Sequence, residues 1–86
     1  MIKTYLRIDL FIEDGSRLKL IDHADLELNE DVYDFLQGFD DCDYAELLLV
    51  TSIGYDLHES LTACFKRIKL KGKRDYSWLL CPRKEI

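Results

Sequence analysis

Ile2, Thr4, Leu6, Ile8, Leu10 and Ile12 alternate without a break with Lys3, Tyr5, Arg7, Asp9, Phe11 and Glu13. A period of two sends the first set to one face of an extended chain and the second to the other, whereas a helix would scatter both around its axis. The segment can bury one side only as a β-strand. The rest of an 86-residue chain must then supply partners for it.

The nearest partner follows the turn signal Asp14-Gly15-Ser16, after which Leu18, Leu20, Ala24, Leu26 and Leu28 again fall on one parity. A two-residue Asp14-Gly15 loop would set Ile12 opposite Arg17. A three-residue loop instead sets Ile12 opposite Leu18 and Leu10 opposite Leu20, and is the expected register. Glu13 then faces Arg17 and Lys3 faces Glu27, opposite charges contributing about 0.2–1 kcal/mol per pair. Asp22 falls on the inner face opposite Ile8, so a bulge or break is expected near 21–23.

Asn29 has the chemistry of an N-cap, Glu30 and Asp31 place carboxylates in a first turn, and Val32, Phe35, Leu36 and Phe39 follow at helical spacing. Gly38 is a suitable terminator, which predicts a helix of about nine residues over one face of the hairpin. Asp40-Asp41-Cys42-Asp43 forms a connection, and Ala45 to Ile53 reads as a buried strand. Residues 57–66 read two ways. Asp56 to Glu59 has the form of a capping box and Leu57, Leu61, Cys64, Phe65 and Ile68 keep helical spacing; Leu57, Leu61, Ala63 and Phe65 equally share one strand parity. A second hairpin around Gly72-Lys73-Arg74 sets Lys71 opposite Asp75, Leu70 opposite Tyr76 and Ile68 opposite Trp78, with Pro82 ending the last strand. The expected fold is α+β: one small domain, residues 1–86, with a mainly antiparallel sheet. Its order is an N-terminal hairpin, a short helix, a strand, a helix or strand, and a C-terminal hairpin, giving one or two helices.

At 48% hydrophobic and 34% charged the composition is that of a globular domain. A chain this short buries only roughly 60–65% of the surface its unfolded form exposes, so a deep cofactor cleft would take much of its core. No apolar run approaches the roughly 20 residues a bilayer requires, and the reading is of a soluble, cytoplasmic protein. Three widely spaced cysteines, Cys42, Cys64 and Cys81, suit neither a disulfide framework nor a zinc ribbon, and reduced thiols are expected.

Charge is sorted along the chain. Residues 20–65 contain no Lys or Arg and carry twelve carboxylates, whereas residues 66–86 hold eight basic residues against Asp75 and Glu85. The net charge of −5 conceals this division, which bears on partners more than on fold. Ordinary surfaces intersperse both signs. The acidic belt therefore reads as a docking surface for a basic partner, with Glu30, Asp31, Asp34, Asp40, Asp41, Asp43, Tyr44 and Glu46 as its contact residues and Tyr33, Tyr44 and Tyr55 as aromatic anchors. The plainer reading is a solvated helix face and loop kept soluble by repulsion. The basic stretch offers an alternative, nucleic-acid binding through Arg67, Lys69, Lys71, Lys73 and Arg74, although cations on an edge strand also block edge-to-edge pairing.

No motif names a reaction. Asp40-Asp41-Cys42-Asp43 lacks the spacing, the central Gly and the closing Glu of a calcium loop. His23 and His58 join no nucleophile, the serines lack a triad context, and the isolated glycines form no phosphate cradle. Catalytic residues, a resident metal and a cofactor are not expected, and a small metal-dependent nuclease is the least favoured alternative. The leading expectation is a non-enzymatic inhibitor or regulator that docks on the basic, nucleic-acid-binding surface of a larger protein as a nucleic-acid mimic. Inhibitors of the anti-restriction or anti-CRISPR kind, carried by phages or mobile elements, meet these requirements of size and charge. A homodimer is also compatible with complementary acidic and basic segments.

Overall fold

The computed structural model describes residues 1–39, 41–69 and 76–84, and of Tyr76 the backbone alone. It contains β1 (Ile2–Asp14), β2 (Arg17–Leu26), α1 (Val32–Leu36), β3 (Tyr44–Ile53), β4 (Asp56–Lys69) and β5 (Tyr76–Cys81). The strands form one sheet in the order β2-β1-β3-β4-β5, with every neighbouring pair antiparallel. Strands β2 and β3 therefore run parallel on either side of β1, and α1 makes the connection between them.

This is a small β-rich domain, and the expected α+β class with one or two helices is corrected. The helix is five residues long, shorter than expected, because Asp31 and not Asn29 is its cap and Gln37 closes it ahead of Gly38; the Asp31 carboxylate accepts the Asp34 amide at 3.2 Å. Asn29 and Glu30 instead belong to a turn in which the Glu30 amide donates to the Glu27 carbonyl and the Glu30 carboxylate accepts the Glu27 amide, both at 3.1 Å. Residues 57–66 lie within a 14-residue strand. Their double reading has a physical origin. The β3–β4 register shifts between Leu47 and Leu48, leaving Thr62 as an extra residue. That bulge reverses the parity, so Leu57 and Leu61 share a face with Cys64, a spacing that imitates a helix.

A second bulge decides the N-terminal hairpin. Asp14 pairs with Arg17, so the loop is the two residues Gly15-Ser16, shifted by one from the expected three-residue loop. Gly15 has φ 66° and Ser16 has no positive φ, the pattern of a primed hairpin turn with glycine first. Glu13 then faces Leu18, and the extra residue Ile21 resets the register so that Ile8 meets Ala24 and Leu6 meets Leu26. The bulge expected at 21–23 is present. It does the work assigned to the longer loop, and the Glu13–Arg17 and Lys3–Glu27 pairings are replaced by Asp14–Arg17 and Lys3–Ser52. In the C-terminal pair Ile68 meets Ser77 and Arg67 meets Trp78, one residue from the expected register; the loop around Gly72 lies outside the described residues. Strand β5 ends at Cys81, immediately before Pro82.

Directly paired residues share a face, which assigns the core. On the helix face Ile8, Leu10, Leu26, Ala45, Leu47, Phe65 and Trp78 pack with Leu36 and Cys42, and Val32, Phe35 and Phe39 close over them. Full burial of an aliphatic side chain such as Ile8, Leu10 or Leu36 is worth about 1.5–3 kcal/mol. On the opposite face Phe11, Tyr44 and Cys64 form a smaller cluster flanked by Leu18 and Cys81. Central strand β3 is therefore buried on both sides along Tyr44–Leu48, as its near-continuous apolar sequence implies.

Candidate functional site

The acidic belt is divided by the sheet. On the helix side, Glu27, Glu30, Asp31, Asp34 and Asp41 are exposed. Asp31 caps α1, Glu30 turns back onto Glu27, and Asp41 Oδ1 lies 3.5 Å from the Cys42 sulfur. Asp40 lies outside the described residues. Among the described residues no ion pair engages Glu27, Glu30, Asp31, Asp34 or Asp41. Tyr33 stands half in solvent beside them, its ring edge-on to Phe65 at 5.3 Å.

Asp43, Tyr44 and Glu46 have a different setting. Asp43 accepts the Glu13 amide at 2.8 Å and pairs with Arg67 at 3.4 Å, while its own amide donates to the Phe11 carbonyl at 2.9 Å. It fastens the end of β1 to β4. Tyr44 is fully buried and Glu46 is 3% exposed, both on the face away from α1. The Tyr44 hydroxyl donates to Glu46 Oε2 at 3.0 Å, Arg83 Nε donates to the same oxygen at 3.0 Å, and the Lys84 amide donates to the Tyr44 hydroxyl at 3.1 Å. The Lys84 ammonium lies 5.5 Å over the Tyr44 ring and pairs with Glu13. Residues 82–84 thus form a strap across this face, held by a buried carboxylate that would be costly without its partners. Burial, then contact with Cys64, raises the Tyr44 ionisation above its ordinary value. Tyr44 and Glu46 are accordingly withdrawn from the surface, and the expected docking set is reduced to its helix-side members. The strap escaped sequence reasoning; its one signal was a lone Glu46 inside the apolar run of β3.

Arg7 lies on the face away from α1, as do Arg83 and Lys84, whereas Arg67 stands opposite Trp78 on the helix side. Arg7 forks onto Asp9 at 2.9 and 3.3 Å and reaches Glu59 at 2.6 Å. The hydrogen bond to Glu59, then that to Asp9, raises the Arg7 guanidinium, and Arg7 in turn lowers the exposed Glu59 carboxyl. In the basic stretch Lys66 and Lys69 are exposed and Arg67 is half-buried against Asp43; Lys71, Lys73 and Arg74 lie outside the described residues.

Among the described residues no three His, Cys, Asp or Glu side chains are grouped as metal ligands. His23 and His58 are exposed on the separate strands β2 and β4. A hollow of about 210 Å³ lined by Glu13, Gly15, Ser16, Arg17, Leu18 and Lys84 is smaller than the usual small-molecule cleft, about 300–1,000 Å³. No helix of the described residues is long and apolar enough to cross a membrane. No family model, curated protein or solved structure matches the chain.

Proposed function

We propose that the protein is a non-enzymatic binding module that docks its helix-side acidic surface on a basic, nucleic-acid-binding groove of a larger protein and inhibits or regulates it. The observation that carries this reading is the distribution of counter-charge. Arg7, Arg67, Arg83 and Lys84 are committed to Asp9, Glu59, Asp43, Glu46 and Glu13, while Glu27, Glu30, Asp31, Asp34 and Asp41 face solvent without an ion pair among the described residues. Such a surface repels itself in the free protein and is relieved by a cationic partner. Association steered in this way is fast and weakens with salt.

The test is capture from a lysate by the full chain at low and high salt, with nuclease treatment and added duplex DNA as a competitor. The expected partner is a basic nucleic-acid-binding protein that survives nuclease, is displaced by DNA and is lost to the variant Glu27→Lys/Glu30→Lys/Asp34→Lys/Asp41→Lys. A variant that folds and still retains the partner overturns the reading. Recovery of nucleic acid alone transfers the function to the basic stretch from Lys66.

A further inference from the structure

Cys64 and Cys81 stand directly opposite one another across the β4–β5 pair, and both are free thiols. Opposed residues of an antiparallel pair have Cα atoms about 4.5 or 5.5 Å apart, according to the hydrogen-bonding of the site, and share a face. A disulfide spans about 4.4–6.8 Å, so the backbone already holds these two positions at bridging separation. Their exposures differ. Cys64 is buried beside Tyr44, whereas Cys81 is half-buried on outer strand β5. Lys66 and Lys84 favour the Cys81 thiolate, although burial, then the neighbouring Cys64, outweigh them and raise it. The third thiol is separated from this pair. Cys42 is 1% exposed in the core of the helix face, with its ionisation pushed up to about 12 by burial and by Asp41.

We propose that Cys64 and Cys81 are an oxidative modification site, a cross-strand dithiol converted to an intramolecular disulfide by a low-molecular-weight disulfide of the glutathione class. Cys81, once deprotonated, attacks one sulfur of the oxidant, forming a mixed disulfide and expelling one thiolate, which takes up a proton. The Cys64 thiol then loses its proton and attacks the Cys81 sulfur, forming the cross-strand bond and expelling the second small thiol. Two protein thiols are oxidised and one small disulfide is reduced to two thiols. Because burial disfavours the Cys81 thiolate, which is the attacking species, the exchange is slower at pH 7 than at pH 8.5. The product ties β4 to the last residue of β5, immediately before the strap that carries Arg83 and Lys84 over Glu46 and Tyr44.

The test incubates the reduced full chain with oxidised glutathione at pH 8.5 and reads intact mass, alkylation and thermal midpoint. The expected product is lighter than the reduced chain by two hydrogens, with Cys64 and Cys81 blocked to alkylation and Cys42 alkylated only after denaturation. Its midpoint rises by roughly 10 °C and returns on addition of reductant. Cys64→Ala keeps a glutathione adduct on Cys81. Cys81→Ser, at the half-buried position and so tolerant of the change, gives neither adduct nor internal bond. Wild-type protein in which an adduct persists on Cys81 while Cys64 stays open to alkylation overturns the proposal, as does a disulfide that includes Cys42 or a second copy of the chain.

Discussion

Tyr44 and Glu46 lie two residues apart on β3, and the hydroxyl of the first donates to Oε2 of the second at 3.0 Å beneath the C-terminal strap. The same hydroxyl accepts the Lys84 amide at 3.1 Å. A tyrosine and a carboxylate that the sequence presents as exposed neighbours of the acidic belt are thereby turned into the internal anchor of residues 82–84.

Tyr44→Phe is expected to keep the ring packing against Phe11 and lose both hydrogen bonds. Loss of a donor to a buried charged acceptor costs about 1.5–3 kcal/mol, read from urea unfolding. Hydrogen exchange at the Lys84 amide should accelerate in the folded state, separating release of the strap from general loss of stability.

Arg83→Ala leaves the Glu46 carboxylate buried with Tyr44 as its remaining partner. Arg83 is 58% exposed at its side chain, so solvent screens the pair, and a cost of about 1–2 kcal/mol is expected. In the background of Glu46→Gln, which removes the charge and keeps the shape, the same substitution should cost less than half as much. Equal costs in a double-mutant cycle would show that the two residues are not coupled.

Stability is expected to fall in alkali before the folded protein titrates. The Cys42 thiol is raised from 9.0 to about 12, first by burial, while Cys81 and Tyr44 are raised as well, each chiefly by burial. The unfolded chain therefore sheds these protons first. The Cys42 contribution is complete below pH about 9 and is lost as pH rises from there toward about 12. Cys42→Ala should flatten the decline of the urea midpoint between pH 9 and 11. On the acid side Arg7 holds Glu59 below 4.5, so the contribution of that pair is present above 4.5 and disappears as pH falls through the lower folded value.

Gly15 and Gly54 occupy the same first position of two-residue hairpin loops, with φ of 66° and 61°. No atom stands within 4 Å of a Cβ added at either place, so the cost of Gly15→Ala or Gly54→Ala is that of the backbone conformation alone. Each is expected to lose about 1–2 kcal/mol, against less than about 0.5 for Ser16→Ala, measured by thermal unfolding.

The alternation from Ile2 to Glu13 determined β1 by itself, because a period of two admits one regular structure. The apolar run of β3 likewise required a central strand, and Asp14-Gly15 required a turn. Charge sorting, with no cation between residues 20 and 65, is wholly a property of the sequence. What the sequence left open was settled by contacts between distant residues. The extra residues Ile21 and Thr62 reverse strand parity, so periodicity beyond them could not be read without knowing the partner strand. Residues 57–66 became strand because β3 offered a ladder along their whole length, which outweighed a local capping pattern. Glu46 and Tyr44 became internal because Arg83 and Lys84, nearly forty residues away, fold over them. Local chemistry thus determined β1 and β3, while the extent of β4, burial of a carboxylate and the pairing of two cysteines arose only once the sheet had brought separate segments together.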